Sequence, residues 1–149
     1  MIHFNWYDFA QLTVEQLYAV LTLRSNVFVV EQNCAYLDPD GKDPVALHLL
    51  GMDNGSLVAY LRLFPPTPAE NYVVFGRVVT EKSARTKGYG KKLMEELLVY
   101  CDANYPSVNI KCSAQNYLTK FYGQFGFKIY GKVYEEDGIP HIEMRRNSL

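Results

Sequence analysis

The chain has 149 residues, 48% hydrophobic and 14% aromatic, enough apolar material for one folded domain over residues 1–149 and too much for a disordered segment. Its formal net charge is −1, which lacks the basic surplus of a nucleic-acid binder. No window approaches the roughly eighteen apolar residues that span a bilayer, and "MIHFNWYDFAQ" has no basic leader, so a cytoplasmic protein without a membrane partner is expected.

Residues 2–7, "IHFNWY", alternate and are rich in aromatics, the pattern of a short strand. Thr13 followed by Gln16 is a capping box, and Leu17, Val20, Leu21, Arg24, Val27 and Phe28 recur at three and four. That spacing predicts a helix with one buried face, broken near Arg24-Ser25-Asn26. "NCAYLDPDGKDP" is a loop made of turn residues. "ALHLLGM" and "SLVAYLRLF" flank Asp53-Asn54-Gly55, a strong hairpin signal. After the proline-rich "PPTPAE" comes the strand "NYVVFGRVVT", where Gly76 suggests a bulge or a close backbone approach.

Residues 88–104 form a helix with Leu93, Met94, Leu97, Leu98, Tyr100 and Cys101 on or near one face, and Pro106 lies past its end. "VNIKCSA" is a strand, and "QNYLTKFYGQF" is a short helix with Gly126 at its C′ position. "FKIYGKVYEE" and "HIEMRRN" pair across the turn "DGIP". The order β-α-β-β-β-α-β-α-β-β implies a mixed, twisted sheet with helices on both faces, in the α/β class. Cys34, Cys101 and Cys112 are odd in number and match no metal spacing, and neither do His3, His48 and His141. Reduced thiols and no metal are expected.

One segment breaks the apolar rhythm. In "VVTEKSARTKGYGKKLMEELLVYC", Arg85, Lys87, Lys91 and Lys92 surround Gly88 and Gly90 at the start of the long helix. A helix start has N–H groups without partners and a partial positive charge, and glycine lets backbone approach a ligand closely. Strand, glycine turn and helix together suit an anion. A P-loop needs G-x-x-x-x-G-K-[ST], which is absent, and a dinucleotide fingerprint fails because Leu93 stands where its third glycine belongs. Arg85-x-x-Gly88-x-Gly90 remains.

That spacing resembles the acyl-CoA pyrophosphate loop of the GNAT N-acetyltransferases. Downstream, "AQNYLTKFYGQFGF" resembles the second signature of that family, with Tyr122 four residues before Gly126-Phe127. "RSNVFVVEQNCAYLDPDGKD" and "VYEEDGIPHIEM" are similar to the ElaA-like subfamily, and the likeness covers nearly the whole chain. Two positions depart from the family pattern: Gln115 replaces a frequent Asn, and Leu118 a frequent Ala.

The resemblance implies transfer of an acetyl group from acetyl-CoA to a primary amine of a small-molecule or peptidyl acceptor, by direct attack in a ternary complex. It places the pantetheine arm along Val78, Val79 and Thr80. It puts the pyrophosphate on Arg85, Thr86, Lys87, Gly88, Tyr89, Gly90 and Lys91, with Gln115 near the donor. Tyr122 takes the position of the acid that protonates the leaving thiolate. Glu31, His48, His141 and the carboxylates of "YEEDG" are candidates for receiving the amine proton, with Glu31 also able to bind the ammonium and a water chain as the alternative. Arg77 could bind an acceptor carboxylate or pair with an acid. A non-catalytic acyl-CoA-binding module, an acyl-homoserine-lactone synthase and a generic nucleotide-binding domain are the rival readings, and a homodimer is left open.

Overall fold

The computed structural model describes residues 1–148. Ten strands and helices form in the order expected: β1 (Ile2–Asp8), α1 (Val14–Arg24), β2 (Leu47–Asp53), β3 (Ser56–Phe64), β4 (Tyr72–Thr80), α2 (Tyr89–Asn104), β5 (Asn109–Gln115), α3 (Thr119–Gly123), β6 (Lys128–Glu136) and β7 (Ile139–Arg146). The strands make one sheet in the order β1-β2-β3-β4-β5-β7-β6. Among the described residues only β4 and β5 pair in parallel.

Strand alternation separates two cores. Leu49 and Leu61 face α2, whose Leu93, Met94, Leu97 and Cys101 are buried against them, while Leu50, Tyr60 and Val79 face Val20 and Leu23 of α1. Helices therefore cover both faces. The first helix starts on its capping box, with Thr13 Oγ1 accepting from Gln16 N–H (3.1 Å) and Gln16 Oε1 from Thr13 N–H (2.9 Å). It ends at Arg24, and a π-helical stretch, Ser25–Glu31, continues it with i→i+5 bonds such as Gln32 N–H to Val27 C=O (3.1 Å).

Two features of β4 open the sheet and bend its edge. Its parallel pairing with β5 covers only Tyr72–Val74 against Asn109–Lys111, and beyond that the strands part. On its other edge, β3 residues Tyr60 and Arg62 oppose Val79 and Gly76, so one β4 residue too many lies between them. The bulge therefore falls one residue after Gly76. Arg77 holds the left-handed conformation, with φ +51°. A Cβ on Gly76 would meet nothing within 4 Å, so neither a turn nor a close approach requires glycine there. The left-handed region costs a non-glycine residue roughly 1–2 kcal/mol. The Arg77 side chain offsets that cost through its hydrogen bonds to Asp38 Oδ1 (3.0 Å) and the Asp38 carbonyl (3.3 Å).

Candidate active site

Where β4 and β5 separate, a cavity of about 970 Å³ opens between them. Val78, Val79 and Thr80 line one side, and Cys112, Ser113 and Gln115 line the other. The β4 edge facing this cleft has no strand partner from Phe75 onward, so its N–H and C=O groups are available to an extended ligand.

The chain leaves β4 through a 3-10 turn, Lys82–Lys87, and enters α2 at Gly88, whose φ of +74° favours glycine. The two long helices start differently. α1 has its capping box and Glu15 in the first turn; α2 has no side-chain cap and no acid there, but carries Lys91 and Lys92. Cations at a helix N-terminus oppose the helix dipole, so this start is electrically unfinished. The first bond back into the helix is from Lys92 N–H to the Gly88 carbonyl (3.2 Å). Tyr89 turns inward: its ring is buried and its hydroxyl donates to Asp53 (2.8 Å), which leaves only its backbone for a ligand. Thr86, Lys87, Gly88 and Lys91 are exposed, and the cavity reaches as far as Arg85.

Tyr122 lines the cavity at its apolar end, buried among Phe75, Phe121 and Phe127 with ring centroids 5.1–6.3 Å away. Burial, and then the neighbouring Cys112, push its pKa up. Among the described residues its hydroxyl has no hydrogen-bond partner. The buried Cys112 thiol also lines the cavity, and burial pushes it up to about 12. It is therefore no thiolate nucleophile at neutral pH. His141, 7% exposed, faces the same cavity. Its Nδ1 donates to the Ile139 carbonyl (2.7 Å), and its Nε2 lies 3.4 Å from Glu136 Oε2.

The comparisons with known proteins give the family. Residues 41–148 match the family model of the acetyltransferase (GNAT) domain. Protein ElaA of Escherichia coli K12 is 45% identical over 149 residues, covering 97% of each chain. The chain belongs to the GNAT acetyltransferase family. The crystal structure of an acyl-CoA N-acyltransferase from Pseudomonas aeruginosa superposes with a TM-score of 0.93 at 44% identity, over 98% of this chain and 99% of that one. The structure of E. coli ElaA does so with 0.91 at 43%, over 99% and 100%.

In this GNAT chain the cleft mouth holds two further sequence candidates together. Glu31, at the end of the π-helical stretch, pairs with Arg85 through both carboxylate oxygens, one of the bonds being 2.7 Å to Nη2. The bond from Arg85 holds the Glu31 carboxyl below the usual carboxylate range, which makes it a poor proton acceptor as it stands. Gln115 Nε2 donates to Gln32 Oε1 (3.3 Å). His48 does not reach the cavity. Its Nε2 bonds the Asp43 carbonyl (2.9 Å), its Nδ1 bonds Tyr60 Oη (2.6 Å), and burial lowers its pKa, so it is a neutral structural histidine.

Sequence reasoning missed one assembly. The loop assigned to turn chemistry supplies Asp38, Asp40 and Asp43 to Arg24, Arg62 and Arg77, three acids for three bases. Arg24 is fully buried and bonds Asp38 Oδ2 and Asp43 Oδ1, both at 2.8 Å. Arg62 bonds Asp40 Oδ2 (2.5 Å) and Asp43 Oδ1 (2.9 Å), and Arg77 bonds Asp38. Asp40, Arg62 and Arg77 of this network line the cavity, and Arg77 is thereby used for pairing. Its signal was present in the sequence: three arginines stand in otherwise apolar stretches, and each needs a carboxylate. Among the described residues no group of three or more His, Cys, Asp or Glu could hold a metal, and no helix is long and apolar enough to cross a membrane.

Proposed function

We propose that this chain is a cytoplasmic N-acetyltransferase that moves an acetyl group from acetyl-CoA to a primary amine of a small-molecule or peptidyl acceptor, by direct attack in a ternary complex. The observation that carries this reading is the junction of a free β4 edge with an uncapped, lysine-bearing helix start. Such a start is unfavourable for folding alone and suits an anion. The residues fit the donor. Val78, Val79 and Thr80 offer backbone groups to an amide chain, and the N–H groups of residues 86–91, with Arg85, Lys87 and Lys91, offer donors to a pyrophosphate. The free thiols Cys34, Cys101 and Cys112 fit a reducing compartment.

Bound acetyl-CoA supplies the activated thioester, and the protein supplies positions and protons. His141 accepts the proton of the acceptor ammonium at Nε2, since its Nδ1–H is held by Ile139, and Glu136 stabilises the imidazolium. Tyr122 carries its proton on Oη and gives it to the leaving sulfur. On reference values the phenol, near 10, lies about 1.5 units above a free thiol. Burial raises the phenol further, but the same apolar walls raise any thiolate beside it, so burial alone does not widen the mismatch. In the unliganded cleft Glu31 is paired with Arg85, and the amine proton is assigned to His141 instead.

Calorimetric titration tests the donor. Acetyl-CoA should bind near micromolar, about −8 kcal/mol, with no heat from ATP or NAD. A thiol-release assay over a broad amine panel then tests turnover. Absence of acetyl-CoA binding withdraws the reading, and binding without turnover on any amine reduces it to an acyl-CoA-binding module.

A further inference from the structure

Two adjacent residues at the end of the π-helical stretch hold both lips of the cleft. Glu31 takes Arg85, just past β4, and Gln32 takes Gln115, at the end of β5. These are the two side chains expected to face the acyl donor from opposite walls, so one short segment, also contributing Val27 and Phe28 to the cavity lining, crosses the mouth. The segment is held less firmly than the helix before it: Val27 and Phe28 rest partly buried on the α1-side core, but no residue of Ser25–Glu31 is fully buried, whereas Val20, Leu23 and Arg24 just before it are. Full burial therefore ends at Arg24-Ser25.

We propose that residues 25–32 form a strap across the unliganded cleft, with the Glu31 carboxylate occupying Arg85 in place of the donor's pyrophosphate and leaving when acyl-CoA binds. This rests on the cleft being an acyl-CoA site. The strength of the pair suits a displaceable contact. With side-chain exposures of 37% for Arg85 and 31% for Glu31 it is a solvent-screened ion pair, unlike the fully enclosed Arg24–Asp38 pair. A pyrophosphate brings more charge and more acceptor oxygens to the same guanidinium, so the exchange is favourable. Glu31 is thus a positioning residue that acts through Arg85.

The test is calorimetry with CoA on the full chain and on Glu31→Gln, Arg85→Gln and the double variant. Glu31→Gln should tighten CoA two- to five-fold, the range open to a half-exposed pair. On the Arg85→Gln background the same change should have no effect, a coupling that a merely structural role for Glu31 would not produce. Unchanged or weaker CoA binding by Glu31→Gln overturns the strap, and so does a gain that survives without Arg85. Amide exchange of residues 27–34 in the unsubstituted protein must also change on adding CoA, and identical exchange overturns the proposal whatever the variants do. If the unsubstituted protein binds no CoA, the acetyltransferase reading falls and the strap falls with it.

Discussion

Replacing Arg24 by Met isolates the buried charge network. Met keeps most of the side-chain volume and removes the guanidinium that serves Asp38 and Asp43 at 2.8 Å each. Each carboxylate keeps one cation, Arg77 at 3.0 Å for Asp38 and Arg62 at 2.9 Å for Asp43, but three acids now face two bases. Removing one partner of a buried pair costs about 3–5 kcal/mol, and the surviving partners put this case at the lower end, about 3 kcal/mol. At roughly 2–4 °C per kcal/mol for a chain of this size, the midpoint of thermal unfolding should fall by about 6–12 °C at pH 7. The pH dependence supplies the sign. Burial raises the Asp43 carboxyl, but its bonds from Arg24 and Arg62 outweigh burial and hold it below the usual range. Such a group stabilises the fold fully above its unfolded pKa, near 3.9, and loses that contribution as pH falls through its folded value. Without Arg24 the Asp43 carboxyl rises, and protonation relieves the excess buried negative charge. The deficit of the variant should therefore be largest at neutral pH and shrink toward pH 4. Unfolding curves recorded at pH 7 and 4.5 decide the matter. A fall of less than about 2 °C at pH 7, or an equal deficit at both pH values, would refute the account.

Three further predictions concern the site. Gly90→Ala adds a Cβ 3.6 Å from Phe121 Cζ, an ordinary contact, in a residue without positive φ. The unfolding midpoint should hold or rise, because Ala favours helix over Gly by up to about 1 kcal/mol, while CoA binding falls ten-fold or more on titration. Unchanged CoA affinity would mean that no phosphate approaches that backbone. Tyr122→Phe should lower kcat about a hundred-fold, at the low end for a lost general acid, with CoA affinity and unfolding unchanged because the hydroxyl has no partner among the described residues. Full turnover by this variant would remove Tyr122 from proton transfer. His141→Gln should lower kcat/KM about a hundred-fold at pH 7 and recover as pH rises toward the pKa of the acceptor, where free amine no longer needs a base. A pH profile parallel to that of the unsubstituted enzyme would assign the proton to water.

The elements were legible because their signals are local. The Thr13–Gln16 box, the Asn54-Gly55 turn with φ of 50° and 78°, and the apolar stripe of α2 each depend on residues a few positions apart. The glycine loop and Tyr122 were legible as patterns, through family resemblance. Long-range pairing was not. Glu31 and Arg85 stand 54 positions apart, and nothing near either specifies the other. The three-arginine network hid in the same way, since the Asp, Pro and Gly of residues 38–44 are also ordinary turn chemistry. The bulge was displaced by one residue for a related reason. Glycine is the usual occupant of a left-handed position, and here a side-chain tie to a distant loop lets Arg77 take it.

That tie joins two parts of the site that loop and strand would otherwise keep separate. Arg77 is the bulge residue of β4, and the bulge lies directly before Val78–Thr80 on the edge proposed for the donor. Its guanidinium is held by Asp38 and Asp40, whose loop also lines the cavity through Tyr36, Leu37, Asp40 and Lys42. A change in that loop should therefore reach the free β4 edge, proposed for the donor, as well as the cavity wall that the loop itself forms. Asp38→Asn should show this. It removes the negative charge that holds Arg77 and leaves a left-handed residue with weaker compensation, so the extra β4 residue can relax and shift the free edge. CoA affinity should fall in this variant although Asp38 lies outside the cavity lining, and it should fall more than in Lys42→Gln, whose residue lines the cavity and makes no hydrogen bond to Arg77 among the described residues. Equal CoA affinities in the two variants would show that bulge and loop are independent, and that the strand holds its shape without the arginine.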